Sequence, residues 1–192
     1  MNKIEKFFDD KSASWDKREI KSNEYFKEFV NSLMLEEGMR VIDLGCGTGI
    51  ITSLINDITN SFVLGMDLSN SMIEIANKKN NNPKIRFVHE DFYKSNYKDY
   101  DAIVCHNAYP HFLDKALFKN KALCTLKKGG LLIICHSISK DEVNTRHKNL
   151  DENISSPLNE VMDEAKIYLD SFKLIKASDT KDEYILILKK VL

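Results

Sequence analysis

The chain has 192 residues, 43% hydrophobic and 30% charged, and its 28 basic and 29 acidic residues leave a net charge of −1. That balance is ordinary for a globular domain and offers no basic face for nucleic acid. No apolar run approaches the roughly 18 residues of a membrane span, and the charged opening Met1–Asp10 lacks the apolar centre of a signal peptide, so a cytoplasmic protein is expected. The length suits one domain. Cys46, Cys105, Cys124 and Cys135 lie in apolar or glycine-rich settings without a CxxC pair, which suits buried, reduced thiols.

Apolar, β-rich runs alternate with helical patterns along the chain, the signature of a parallel sheet covered on both faces. Strands are predicted at Arg40–Leu44, Phe62–Asp67, Ile85–His89, Asp101–Cys105 and Leu131–His136. Helices are predicted between them, near Ile50–Asp57, Ser71–Lys79 and Asp114–Leu126. Ser139 with Glu142 three residues on reads as a capping box for a short helix to about Asn149. Ser156-Pro157 reads as an N-cap with proline at the first helical position, opening a helix to about Asp170. Phe172–Ser178 and Glu183–Lys189, joined by Asp179-Thr180-Lys181-Asp182, form a terminal antiparallel hairpin.

The run Val41-Ile42-Asp43-Leu44-Gly45-Cys46-Gly47-Thr48-Gly49 carries the most information. Glycines at alternate positions after a strand allow a tight turn with positive φ and let a ligand approach main-chain atoms at a helix start. A dinucleotide loop wants a third glycine where this chain has Ile50, and Asp43 stands two residues before the first glycine. Asp-x-Gly-x-Gly-x-Gly resembles motif I of the class I S-adenosylmethionine-dependent methyltransferases. The resemblance implies an α/β, Rossmann-like, seven-stranded and mostly parallel sheet of order 3-2-1-4-5-7-6, strand 7 antiparallel, with helices on both faces. It also implies that residues 1–37 are a helical cap on a core of 38–192.

The same resemblance assigns a cofactor site for S-adenosylmethionine. Gly45, Cys46 and Gly47 would make main-chain contacts, with Asp43 near the amino group of the methionine portion. Asp67 closes the second strand, where a carboxylate can accept both ribose hydroxyls, and Leu68 follows it. Met72 would lie on the adenine. In Ile85–Phe92, similar to the family's third motif, Asp91 would accept from the adenine amino group and the Phe92 main chain would reach the ring. Phe8–Asp16 is similar to the FDxxAxxWD segment of small-molecule methyltransferases, the quinone-biosynthesis type included, with Ser12 in place of alanine. There Phe7, Phe8 and Trp15 would exclude water from the methyl donor.

Catalytic candidates come from the histidines. The fourth strand ends in Cys105-His106 and the fifth in Cys135-His136, with His111 and His147 in following segments. In the implied topology the two Cys-His pairs would end side by side on neighbouring strands. An imidazole is suited to remove a proton from a hydroxyl, thiol or nitrogen acceptor during in-line methyl transfer. A purely structural or lining role for all four is the alternative; clustered imidazoles could also hold Zn²⁺, but the spacing matches no zinc signature, so no metal is expected. The expectation is a small-molecule methyltransferase acting without nucleic acid or membrane, as a monomer or homodimer. A non-catalytic nucleotide-binding module and an NAD-dependent oxidoreductase are the alternatives.

Overall fold

The structure, a computed structural model, describes residues 2–18 and 21–191. Three residues of the expected cap (1, 19 and 20) therefore lie outside the described residues. The strands run in the order β3-β2-β1-β4-β5-β7-β6. The chain divides into two compact units, 1–95 and 96–192.

In the first unit β1 (Val41–Leu44), β2 (Val63–Asp67) and β3 (Ile85–His89) are parallel, with Val41 opposite Val63 and Val63 opposite Ile85. Every residue of β1 is buried, as expected of a strand covered on both faces. Helix α1 (Lys3–Asp9) begins in a full capping box. Asn2 accepts from the Ile4 N–H and the N3 residue Glu5 reaches back to the cap backbone. Helix α2 (Asn23–Asn31), capped by Ser22, buries Phe26, Phe29 and Val30 at helical spacing. Helices α3 (Thr52–Thr59) and α4 (Asn70–Lys79) follow β1 and β2. Asn60 ends α3 in the left-handed region, and Ser69 caps α4.

In the second unit β4 (Tyr100–His106) is parallel to β5 (Leu126–His136), and β7 (Tyr184–Lys190) is antiparallel to both β5 and the outer β6 (Phe172–Asp179). Leu131–His136 is buried throughout. β5 starts five residues before the predicted Leu131, because Lys127–Gly130 form a bulge opposite Asp101. A Cβ on Gly130 would lie 3.0 Å from the Lys127 carbonyl and 3.1 Å from that of Asp101, and Gly129 has φ +78°. Those two glycines let the strand run through residues 127–130, which fall between the predicted helix and strand.

Helix α5 (Lys115–Thr125) is capped by Asp114 and α6 (Lys140–His147) by Ser139. Helix α7 covers only Val161–Lys166. The predicted start at Ser156-Pro157 is wrong because Ser156 is committed elsewhere. Its N–H and its hydroxyl both donate to the Pro110 carbonyl, at 2.9 and 3.2 Å. Asn144 of α6 bonds both the N–H and the carbonyl of Leu158. The segment thus ties the turn at Tyr109–His111 to α6 before the helix begins. Cys46, Cys105 and Cys135 are buried thiols, whereas Cys124 is exposed, against the expectation for all four.

Candidate active site

In the first unit the glycine loop leaves β1 with φ of +72° at Gly45, +53° at Gly47 and +80° at Gly49. Four of its N–H groups are spent inside the protein. Gly45 and Cys46 both donate to the Met66 carbonyl, Gly49 donates to the Cys46 carbonyl, and Gly47 donates to Asp67 Oδ2 at 2.8 Å. Main-chain contacts to a ligand from residues 45–47 would therefore come from carbonyl oxygens. Two of the glycines serve packing. A Cβ on Gly65 would lie 2.4 Å from the Phe87 ring and one on Gly49 would lie 2.8 Å from it. Phe87 fills that space with Cys46, Ile73 and Ala76. A Cβ on Gly47 would meet only Trp15 Nε1, at 3.7 Å, so its positive φ is what calls for glycine.

Two carboxyl groups flank the loop. Asp43, 1% exposed, accepts from the Thr52 hydroxyl at 2.5 Å. Burial pushes its carboxyl up to about 7, against the pull of that bond and with help from Asp67. Asp67 accepts from the N–H groups of Gly47 and Ser69, both at 2.8 Å, yet burial still holds it above the usual carboxylate range. Burial also raises the Cys46 thiol, with Asp67 and Asp43 adding to it. No basic side chain figures among the groups shifting either acid. A pyrophosphate would be repelled here, whereas carbonyl oxygens and buried acids suit an ammonium group and hydroxyls. This set of acceptors fits a nucleoside that carries a free amino-acid end better than a dinucleotide.

The remaining expected residues are placed as follows. Leu68 is half-buried after β2, and Met72 is buried in α4 beside the Ser69 cap. Asp91 Oδ1 accepts from the Tyr93 N–H at 3.0 Å and Oδ2 pairs with Lys94 at 3.3 Å, so this carboxylate also closes its own turn. Phe92 is buried. Trp15 is half-buried, edge-on to Phe8 at 5.5 Å, and Phe8 in turn is edge-on to Phe7 at 5.1 Å.

The expected residues did not include the polar clasps that hold this segment. Asp9 accepts from the Ser69 hydroxyl at 2.5 Å and the Ser71 N–H at 3.1 Å. Burial opposes ionisation of Asp9, but those bonds outweigh it and hold the carboxyl below its ordinary value. Asp16 accepts from the Thr48 hydroxyl at 2.6 Å and pairs with Lys79. Both acids belong to the quoted Phe8–Asp16 segment, so the motif held the signal although only its aromatic residues were given a role.

The four candidate histidines lie in the second unit. β4 and β5 do not end in line: His106 is opposite Cys135, a stagger of one residue. Side-chain alternation then sends His106 to the face of Cys135 and His136 to that of Cys105. Asn107, at φ +54°, fixes the stagger by donating to the Ser137 hydroxyl at 3.0 Å and accepting from the Ser137 N–H at 3.1 Å. Burial pushes His106 down to about 3. His136 is held far below its ordinary value by burial, then by His106, His147, His111 and Lys115.

His111 and His147 form a pair with ring centres 5.0 Å apart. His111 Nδ1 lies 2.8 Å from the Ile154 carbonyl, which only accepts, so Nδ1 carries the hydrogen and Nε2 is the basic nitrogen. Burial pulls His111 down to about 4. His147, half-buried, contacts the Ser155 hydroxyl through Nδ1 at 2.9 Å, and burial followed by Arg146 lowers it. All four imidazoles are thus uncharged at neutral pH. Beside them Tyr109 donates to Glu164 and lies 2.7 Å from the Tyr168 hydroxyl, while Asn159 donates to the second Glu164 oxygen at 2.9 Å. Lys115 sits 3.5 Å over the Tyr109 ring, and burial lowers it to about 8. Among the described residues no group of three or more His, Cys, Asp or Glu side chains could hold a metal ion, and no helix is long and apolar enough to cross a membrane.

A protein family described as "Methyltransferase domain" matches residues 35–190. An uncharacterized methyltransferase of Schizosaccharomyces pombe is 32% identical over 133 residues, 63% of this chain and 46% of its own length. The chain spans about half the length of the first curated relatives it matches. Among solved structures, a chain from the Haloferax volcanii complex between the Trm112 methyltransferase activator and a protein described as a methyltransferase superposes with TM-score 0.81. It is 16% identical, with 98% of each chain covered. Magnesium protoporphyrin IX methyltransferase from Synechocystis PCC 6803, with bound SAH, gives TM-score 0.71 at 18% identity, covering 97% of this chain and 98% of that one. At such identities the two structures establish the fold alone. The match over 35–190 establishes the family, and the chain belongs to the methyltransferase domain family.

Proposed function

We propose that the protein transfers a methyl group from S-adenosylmethionine to a small-molecule acceptor. The observation that carries this reading is the acid-flanked glycine loop, in which buried Asp43 and half-buried Asp67 are shifted by no basic side chain and the N–H groups of Gly45, Cys46, Gly47 and Gly49 are already bonded within the protein. S-adenosylmethionine supplies an electrophilic methyl group on a sulfonium. Asp43 and the carbonyls of residues 45–47 hold the ammonium end, and Asp67 with Leu68 holds the ribose. Met72, Asp91 and Phe92 hold the adenine, and Trp15 shields the site from water. Residues 1–37 act as a cap on a single 38–192 domain.

Proton removal from the acceptor falls to the imidazoles. His111 suits it best, because a carbonyl fixes its tautomer and leaves Nε2 as the basic nitrogen. Half-buried His147 can pass a proton to solvent, with His106 and His136 lining the acceptor side. The near-neutral charge and the absence of a basic stretch support a small acceptor over nucleic acid. The likeness of segment 8–16 to quinone-biosynthesis enzymes supports a quinone precursor within that class. A cytoplasmic monomer or homodimer needing no metal completes the reading.

The test is release of S-adenosylhomocysteine from S-adenosylmethionine over a panel of small hydroxyl, amine and thiol compounds. Turnover with at least one class, lowered in His111→Gln with unchanged cofactor affinity, is the expected result. Cofactor binding without turnover on any compound would instead favour a non-catalytic binding module.

A further inference from the structure

Two buried polar atoms of the second unit have no hydrogen-bond partner among the described residues, and the reading above gives neither atom a bond to make. They are His136 Nε2 and the Tyr184 hydroxyl, on residues 2% and 0% exposed. The register of β5 on β7 makes these residues direct cross-strand partners, and their rings stand edge to face at 6.1 Å and 77°. An orphaned buried polar atom costs about 1–3 kcal/mol, so two on one register pair mark a place where something from outside the fold completes the bonds. We propose that His136 Nε2 and the Tyr184 hydroxyl form a subsite for one uncharged hydroxyl group of the methyl acceptor, His136 accepting its hydrogen and Tyr184 donating to its oxygen. Assigning that hydroxyl to a methyl acceptor rests on the function proposed above; the subsite itself does not.

The surroundings hold both side chains uncharged, and the proposal takes His136 in the tautomer that carries its hydrogen on Nδ1 and accepts at Nε2. Burial, then His106 at the end of β4, His147 of α6, His111 of the Tyr109 turn and Lys115 of α5, all disfavour a proton on His136, so its ring stays uncharged. Tyr184 is pushed the other way, by burial and then by Glu164 of α7, Asp179 of β6 and Glu160, so its hydroxyl keeps its hydrogen. Glu160 is itself paired with Lys140 at 2.7 Å. An uncharged imidazole beside a phenol complements a group that donates and accepts at once, which an alcohol does. A carboxylate has no hydrogen for His136. An ammonium cannot accept from Tyr184, and it would meet the charge of Lys115. The subsite therefore selects hydroxyl acceptors over amines and acids.

Three probes with one carbon skeleton test this: cyclohexanol, cyclohexylamine and cyclohexanecarboxylate, titrated into the full chain at neutral pH. The readout is the imidazole nitrogen resonances, with His136 assigned through His136→Gln. Cyclohexanol should move the His136 signal saturably and bind at least about tenfold more tightly than either charged analogue. It should weaken at least about tenfold in Tyr184→Phe, which removes a single oxygen. A preference for the carboxylate or the amine, unchanged binding in Tyr184→Phe, or no saturable shift because a buried water completes the bonds, would each overturn the proposal. The ranking of the three probes on the unaltered protein stands even if a variant fails to fold. Calorimetry with S-adenosylhomocysteine on the same samples separates the two claims. Cofactor binding without cyclohexanol binding removes the subsite alone, and absent cofactor binding removes the proposed function.

Discussion

Replacing Asp43 with asparagine should stabilise the protein at alkaline pH while damaging its function. Asp43 is buried, and its carboxyl is raised from an ordinary 3.8 to about 7. A group raised on folding contributes stability that is complete below its unfolded value and is lost as pH rises through its folded one. From this residue the folded protein should therefore lose about 4 kcal/mol between roughly pH 4 and pH 8, of which about 3 kcal/mol falls above pH 5. Asparagine removes that loss and keeps an oxygen for the Thr52 hydroxyl, but buries an amide NH2 at a cost of about 1–3 kcal/mol. The variant should thus be close to wild type near pH 5 and more stable by about 1–3 kcal/mol near pH 8, by urea unfolding with an unchanged m-value. Its affinity for S-adenosylhomocysteine should fall at least about tenfold, because the ammonium loses its carboxylate. A variant that loses the same stability at both pH values would refute the buried-charge reasoning.

Gly65→Ala should lose about 1–3 kcal/mol by overpacking against Phe87. Phe87→Leu in the same chain should recover part of it, and additive losses in a double-mutant cycle would contradict the contact. The sequence has one tryptophan, so intrinsic fluorescence reports on Trp15 beside Gly47. Emission should change on addition of S-adenosylhomocysteine, and the signal should vanish in Trp15→Phe. Asp16→Asn should leave global stability within about 1 kcal/mol, its Lys79 pair being exposed, yet alter Trp15 emission. His111, lowered to about 4, and His106, lowered to about 3, hold off protons that the unfolded chain accepts near 6.5. Their stability should therefore fall away as pH drops below about 6.5. Melting curves of His111→Gln should show a shallower acid slope than wild type.

The sheet was legible because its strands are written as apolar runs punctuated by glycine, and the hairpin because its turn residues stand between two such runs. What escaped was set by contacts distant in sequence. Ser156-Pro157 has the local chemistry of a helix start, but the Pro110 carbonyl claims its donors. Lys127–Gly130 fell between the predicted helix and strand, and only pairing with β4 makes them part of a bulged strand. The glycine loop was placed correctly, yet the reasons for Gly49 and Gly65 lie in a phenyl ring on another strand. The histidines were found one by one, but the one-residue stagger that parts His106 from His136 depends on Asn107 gripping Ser137. Tyr184 could not be singled out before the β5–β7 register set it opposite His136.

The acid-flanked loop as a seat for S-adenosylmethionine is most directly tested by calorimetric titration with S-adenosylhomocysteine, in wild type and in Asp67→Ala. Saturable binding in wild type should come with proton release near neutral pH, as the ligand's ammonium draws Asp43 below its raised value of about 7. Asp67→Ala should lose at least about tenfold in affinity, because the ribose hydroxyls and the Gly47 N–H both lose their acceptor. No binding at high micromolar ligand, or binding that Asp67→Ala leaves unchanged, would contradict the assignment of this loop.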